Sequence, residues 1–158
     1  MLFRSRIFKD ITPALAAPHA LGFICDELAR PFQDQGVTKI LAIESRGFFF
    51  GTGIAERLGA GLVPVRKAGK LPWETESESY ALEYGEAVLE IHRDAIMPGE
   101  TVLLVDDVLA TGGTLKAAKI LVERLGGKIA GAACFLEIGF LNGREKLKPL
   151  AMHSLWVV

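Results

Sequence analysis

Residues 101–115 read TVLLVDDVLATGGTL, and the fold follows from that stretch. Its first five residues are β-branched or aliphatic throughout, the pattern of a strand buried on both faces of a parallel sheet. Two adjacent carboxylates, Asp106 and Asp107, follow at the strand's carboxyl end. Ala110, Thr111, Gly112, Gly113 and Thr114 come next, small residues that let a backbone fold tightly with its N–H groups pointing inward. From Thr114 the period changes, and Leu115, Ala118, Leu121, Val122 and Leu125 fall at helical spacing. A glycine-rich turn that opens a helix is a natural anion site, because unpaired amides and the helix dipole both favour a phosphate.

An ordinary strand–turn–helix with solvated aspartates accounts for the glycines but not for two successive acids beside them. Carboxylates repel phosphate, so they must have another task on the same ligand. Accepting hydrogen bonds from vicinal sugar hydroxyls is that task, and a ribose 5-phosphate carries both groups. The stretch is not a Walker loop, since G-x-x-x-x-G-K-[ST] occurs nowhere in the chain. It is not a Rossmann fingerprint either: Gly51-Thr52-Gly53 has Glu56 where the third small residue should stand.

Outward from this stretch, strands and helices alternate. Residues 39–43 (KILAI), 62–65, 86–91, 129–136 and 154–158 read as strands. Residues 14–28 read as one helix stopped or kinked by Pro31, residues 48–58 as a helix closed by Gly59, and residues 144–147 as a short helix. Residues 66–84 keep no periodic pattern, and a loop of that length in a compact domain is usually a lid. The expected fold class is α/β, a mostly parallel sheet flanked by helices, in a single domain over residues 1–158. Ligands of such sheets bind outside the carboxyl ends of the strands, which brings loops 44–47, 66–70 and 106–114 to one place.

Composition narrows the function classes. Half of the 158 residues are hydrophobic, 23% are charged and the net charge is −1, so no global basic field invites nucleic acid. No apolar run approaches the length of a membrane span. Cys25 and Cys134 lack metal-ligand spacing and sit in apolar surroundings, as expected of buried free thiols in a cytoplasmic protein. His19, His92 and His153 are dispersed and read as non-catalytic. Arg46 stands just before Gly47, which lets backbone amides approach a ligand; by itself it could equally be a surface arginine. Arg66, Lys67 and Lys70 place three cations within five residues, either a solvated face or the neutraliser of a polyanion at the ligand end of a strand.

The segment VLLVDDVLATGGT resembles the phosphoribosyl-pyrophosphate (PRPP) motif of the type I phosphoribosyltransferases. Together with FKDITP (8–13), ESRGFFFG (44–51), VRKAGKLP (65–72) and ALEYG (81–85), in that order, it makes the chain similar to the adenine phosphoribosyltransferase family. The resemblance runs from about Ile7 to the last strand and leaves no room for a removable presequence. One departure is that Met1 to Arg6 stand where family members usually carry a longer segment with a Pro-Gly turn.

That resemblance implies a type I phosphoribosyltransferase core with a flexible hood over residues 66–84. The reaction it implies is adenine plus PRPP giving AMP plus pyrophosphate, in a homodimer. Asp106 and Asp107 would hold the ribose hydroxyls, and Ala110, Thr111, Gly112, Gly113 and Thr114 the 5-phosphate. Ser45, Arg46 and Gly47 would form a pyrophosphate loop with a cis peptide at Glu44–Ser45, assisted by Arg66, Lys67 and Lys70. Arg46 would thereby join Glu83 in catalysis. Ile7, Phe8 and Lys9 would line the base pocket, and Tyr84 would belong to the lid. Mg2+ would arrive with PRPP, held by phosphate and water rather than by a protein cage. A phosphoribosyltransferase for hypoxanthine, guanine or xanthine, and a non-catalytic PRPP-sensing regulator, are the alternative readings. Glu83 would handle the purine proton, so Glu83→Gln is expected to lower turnover by about 10²–10⁴-fold with PRPP affinity nearly intact. Steady-state kinetics and PRPP titration check this, and near-normal turnover would make Glu83 structural.

Overall fold

The computed structural model describes residues 10–82 and 84–158. Helices α1 (Thr12–Ala16) and α2 (Ala20–Ala29) lead into β1 (Lys39–Ile43), α3 (Gly47–Leu58) and β2 (Gly61–Lys67). A hairpin of β3 (Thr75–Ala81) and β4 (Glu86–His92) follows, then β5 (Thr101–Leu109), α4 (Gly113–Arg124), β6 (Lys128–Glu137) and β7 (Met152–Val157). The strands form a seven-stranded sheet in the order β3-β4-β2-β1-β5-β6-β7. The five strands from β2 to β7 are parallel, and the hairpin adds antiparallel strands at one edge.

The aliphatic run of β5 is explained by its place at the middle of this sheet. Val102 and Leu104 belong to the core beneath α4, with Leu115, Ala118, Leu121 and Val122. Leu103 and Val105 belong to the core on the other face, with Ile24, Leu28, Phe50 and Ile54 of α2 and α3. Phe50 stacks on Phe135 with ring centroids 5.6 Å apart. Helix α3 lies close on the sheet because Gly51 faces Ala42: a Cβ there would come within 2.5 Å of the alanine methyl. Cys25 and Cys134 are buried free thiols, and burial pushes the Cys134 thiol up to about 12.

Three expectations from the sequence change. The helix over residues 14–28 is two helices, because Pro18 drives Ala17 out of the helical region (φ −71°, ψ 132°). Strand β5 does not stop at Val105 but runs through both aspartates to Leu109, carried by its pairing with β6. The stretch over residues 66–84 is not irregular throughout, since residues 75–81 pair with β4 along their whole length. TESESYA carries no apolar phase because β3 is an edge strand with neither face fully buried. Arg124 of α4 secures it, donating to the Ser77 carbonyl at 2.7 Å and to Glu78 Oε2 at 2.5 Å.

Candidate active site

Strand β1 ends at Ile43, opposite Val65 of β2, and its last partner on β5 is Val105. Beyond that point β5 continues for four residues with β6 on one side and no strand on the other. A cavity of about 380 Å³ occupies this step. Asp106 and Asp107 contribute to its lining, with Glu44, Arg46 and Lys67 from the β1 and β2 ends, Ala110 and Thr114 from the turn, and Tyr80 from the hairpin. A smaller space of about 60 Å³ lies in the turn itself, lined by Ala110, Thr111, Gly112 and Thr114. Gly112 adopts φ +84° at the residue preceding α4, a conformation that favours glycine, and α4 starts at Gly113.

The charges of the site are arranged in two groups. In the first, Asp106 and Asp107 are both buried. Burial, and then the neighbouring Asp107 charge, pushes the Asp106 carboxyl well above the ordinary carboxylate range. Arg46 Nε lies 2.6 Å from Asp107 Oδ2. That oxygen nonetheless receives no aligned hydrogen bond among the described residues, so the contact is one of charge rather than of directed bonding.

The second group centres on Glu44. Arg66 Nε donates to Glu44 Oε2 at 3.3 Å, the Lys67 amide to the same oxygen at 3.0 Å, and Lys70 Nζ to Oε1. Burial disfavours this carboxylate, but the hydrogen bonds from Lys70 and the Lys67 amide outweigh it and hold the carboxyl below its ordinary range. The Glu44–Ser45 peptide is cis, and Gly47 seats α3 against β5, where a Cβ would lie 3.1 Å from the Val105 carbonyl oxygen.

A phosphoribosyl transferase domain model matches residues 13–154. The chain belongs to the phosphoribosyltransferase family. Within it, this chain is 53% identical to the adenine phosphoribosyltransferase of Thermobifida fusca, over 96% of its own length and 86% of that protein's. The solved adenine phosphoribosyltransferase of Rhodothermus marinus superposes with a TM-score of 0.92 at 50% identity, covering 96% of this chain and 86% of that one. The Saccharomyces cerevisiae enzyme, solved with an imino-altritol bisphosphate and adenine, gives 0.87 at 40% identity, with coverages of 94% and 86%. The α/β architecture, with its central sheet between helical layers, is that of the type I phosphoribosyltransferases.

The structure of this phosphoribosyltransferase brings Arg46, Lys67, Asp106, Asp107, Ala110 and Thr114 around one cavity and Thr111 and Gly112 into the adjoining one. Gly113 opens α4, Ser45 and Gly47 flank Arg46, and Arg66 and Lys70 turn to Glu44 at the rim. Tyr84 is 88% exposed. Ile7, Phe8, Lys9 and Glu83 lie outside the described residues. His153 Nε2 lies 3.2 Å from the Glu27 carbonyl oxygen, and neither it nor His92 lines the main cavity.

Sequence reasoning missed Glu44 as a counter-ion, along with Tyr80 and Ile138, which also line the cavity. Glu44 had a signal: three cations at one strand end call for a carboxylate at the next. Its depressed pKa carries a sign that can be tested. The stability it contributes is present above the unfolded glutamate value and is lost as pH falls through the lower folded one. Glu44→Gln should therefore melt below the wild type at neutral pH, with the gap closing below about pH 4. Thermal melts across pH measure it, and a gap independent of pH would overturn the ionic role.

Proposed function

We propose that this phosphoribosyltransferase transfers the 5-phosphoribosyl group of PRPP to adenine, giving AMP and pyrophosphate. The observation that carries the reading is the joint placement of two buried adjacent carboxylates, a glycine turn at a helix start and a cationic rim around one cavity. Each part suits one part of PRPP. Asp106 and Asp107 accept from the ribose hydroxyls, and the amides and hydroxyls of residues 110–114 receive the 5-phosphate. Ser45, Arg46 and Gly47, with Lys67 and the Glu44-bound Arg66 and Lys70, receive the pyrophosphate. Relatives named for adenine, among them a yeast enzyme solved with that base, support the choice of purine.

Breaking the bond from the anomeric carbon to pyrophosphate builds positive character on the ribose and negative charge on the leaving group. Arg46 and the cations at residues 66–70 stabilise that leaving charge. A ring nitrogen of the base attacks the anomeric carbon, and Glu83 takes its proton. The 66–84 hood, closing over the cavity, keeps water from hydrolysing PRPP. Backbone carbonyl and N–H groups of residues 7–9 read adenine's edge, with Phe8 as a stacking face and Tyr84 on the lid.

Mg2+ fits this site as a companion of PRPP. The carboxylates that line the cavity are Glu44, Asp106 and Asp107, and Glu44 is engaged by Arg66 and Lys70, which leaves the two aspartates as the acids nearest a phosphate-bound ion. When bound, the ion supplies positive charge for the departing pyrophosphate. The reading includes one domain over the chain, a cytoplasmic setting and a homodimer, for which exposed Phe23, Phe49 and Trp73 offer apolar surface. No helix among the described residues is long and apolar enough to cross a membrane.

Asp107→Ala should weaken PRPP binding by about 1.5–3 kcal/mol, the range for hydrogen bonds to charged groups. Titration with PRPP tests it, and unchanged affinity in both single aspartate variants would remove the ribose assignment. The choice of base is tested by a purine panel with PRPP and Mg2+, reading nucleotide formed. A site that accepts from adenine's exocyclic amine sets an oxygen against the carbonyl of hypoxanthine, so kcat/KM should favour adenine by roughly 10⁴. Comparable values for the two bases would overturn the adenine reading and leave the PRPP site standing, and no product with any purine would favour a PRPP-binding regulator.

A further inference from the structure

Among the described residues the buried charged side chains are Asp106, Asp107 and Glu137. The first two line the cavity. Glu137 does not, and the reaction has no use for it. It ends β6, opposite Leu109 of β5, and both of its oxygens are engaged. Arg144 Nε donates to Oε1 at 3.1 Å, while Oε2 accepts from Arg144 Nη2 and from Ser154 Oγ. Arg144 Nη1 donates to the Met152 carbonyl at 2.6 Å. The guanidinium thus ties the 3-10 turn Gly143–Leu147 to β6 and β7 at once.

Glu137 is buried while Arg144 stays 40% exposed, and such a pair is a poor source of stability, since solvent screens one partner and burial penalises the other; what it can fix is geometry. Its neighbour in sequence is Gly143, whose backbone sits against the turn that carries Ala110 and Gly112. A Cβ on Gly112 would come within 2.4 Å of the Gly143 carbonyl oxygen. One on Gly143 would come within 2.2 Å of the Ala110 oxygen and 3.0 Å of the Gly112 nitrogen. The two backbones interlock with no side chain between them. The segment from β6 to β7 is also held at its start, where the Ile138 amide donates to the Leu109 carbonyl at 2.9 Å, and at buried Leu147. Between those points Arg144, the residue next to Gly143, is bonded to both β6 and β7.

We propose that Arg144, through Glu137, is a positioning residue for the 110–114 turn, setting the spacing of the amides that receive the 5-phosphate of PRPP and AMP. The proposal rests on the reading of that turn as the phosphate site. Arg144 touches no ligand in this scheme, and the pyrophosphate loop across the cavity gains nothing from it.

Ribose 5-phosphate and magnesium pyrophosphate probe the two halves of the site separately, by calorimetric titration into the full chain. Arg144→Lys keeps the charge and loses the planar fork. It should weaken ribose 5-phosphate by roughly ten- to hundredfold, the effect of losing a group that orients a binding shell, and leave pyrophosphate unchanged. A double variant, Glu137→Met with Arg144→Met, replaces the pair by apolar volume. It should melt near the wild-type temperature and still bind ribose 5-phosphate weakly. Equal losses for both ligands, or wild-type ribose 5-phosphate affinity in the double variant, would overturn the positioning role. Thr114→Val separates the two claims. If it leaves ribose 5-phosphate affinity intact, the turn is not the phosphate site and the proposal falls with that reading. If it weakens binding while Arg144→Lys does not, the phosphate site stands and only the positioning role is lost.

Discussion

A strand that outruns its neighbour is the constraint on which the candidate active site depends. Adjacent residues of a strand point to opposite faces of the sheet, so two successive aspartates would ordinarily serve two different surfaces. They share a cavity here because β1 ends opposite Val105 and leaves the β5 edge open beside Asp106 and Asp107. Pairing with β6 continues on the other edge to Leu109 and holds the extended backbone in place. The same step admits Gly47 against the Val105 carbonyl, which starts α3 and sets Arg46 within reach of Asp107. Lengthening β1 would fill the cavity and bury both carboxylates against backbone.

The site is then a problem of charge. Burial, and then the charge of Asp107 beside it, raises the Asp106 pKa, so the two acids resist joint ionisation. Arg46 relieves that conflict from the Asp107 side. At the rim the sign is reversed: Arg66 and Lys70 would repel one another, and Glu44 pairs with both while also accepting from the Lys67 backbone amide. A polyanionic ligand could take over the part of Glu44 without building a new cationic site. Glu44 therefore keeps Arg66 and Lys70 assembled at the rim, and groups already in place lower the ordering cost of binding any anion there.

Much of this was legible in the sequence, and the exceptions share a cause. The aliphatic run of β5, the glycine turn and the helix after it are local patterns, and they were read correctly because each residue's environment is set by its neighbours in the chain. Glu137 and Arg144 left no local trace, since their pairing, and the pressure of Gly143 on the 110–112 turn, join elements distant in sequence. Strand β3 was missed because an edge ribbon buries neither face and so has no apolar period to read. Pro18 differs in kind: the signal that splits α1 from α2 is local, and it overrides the longer helical period around it.

The composition that hid β3 also protects the edge of the sheet. Glu76, Glu78 and the serines between them blunt an edge that would otherwise invite pairing with another chain. Arg93 and Arg124 pair with those glutamates, and most of these arginine contacts are solvent-exposed. Exposed ion pairs contribute about 0.2–1 kcal/mol each, far less than the apolar burial that holds β5. Tyr80 is the large apolar side chain that β3 packs against the α4 core, and it also borders the cavity. Strand β4 is anchored, since it pairs with β2 and buries Leu89 and Ile91 in the core, whereas the outer strand β3 is held to α4 by the Arg124 pairs and by Tyr80. The edge strand is thus the part of the sheet whose attachment rests least on apolar burial, and through Tyr80 it reaches the cavity.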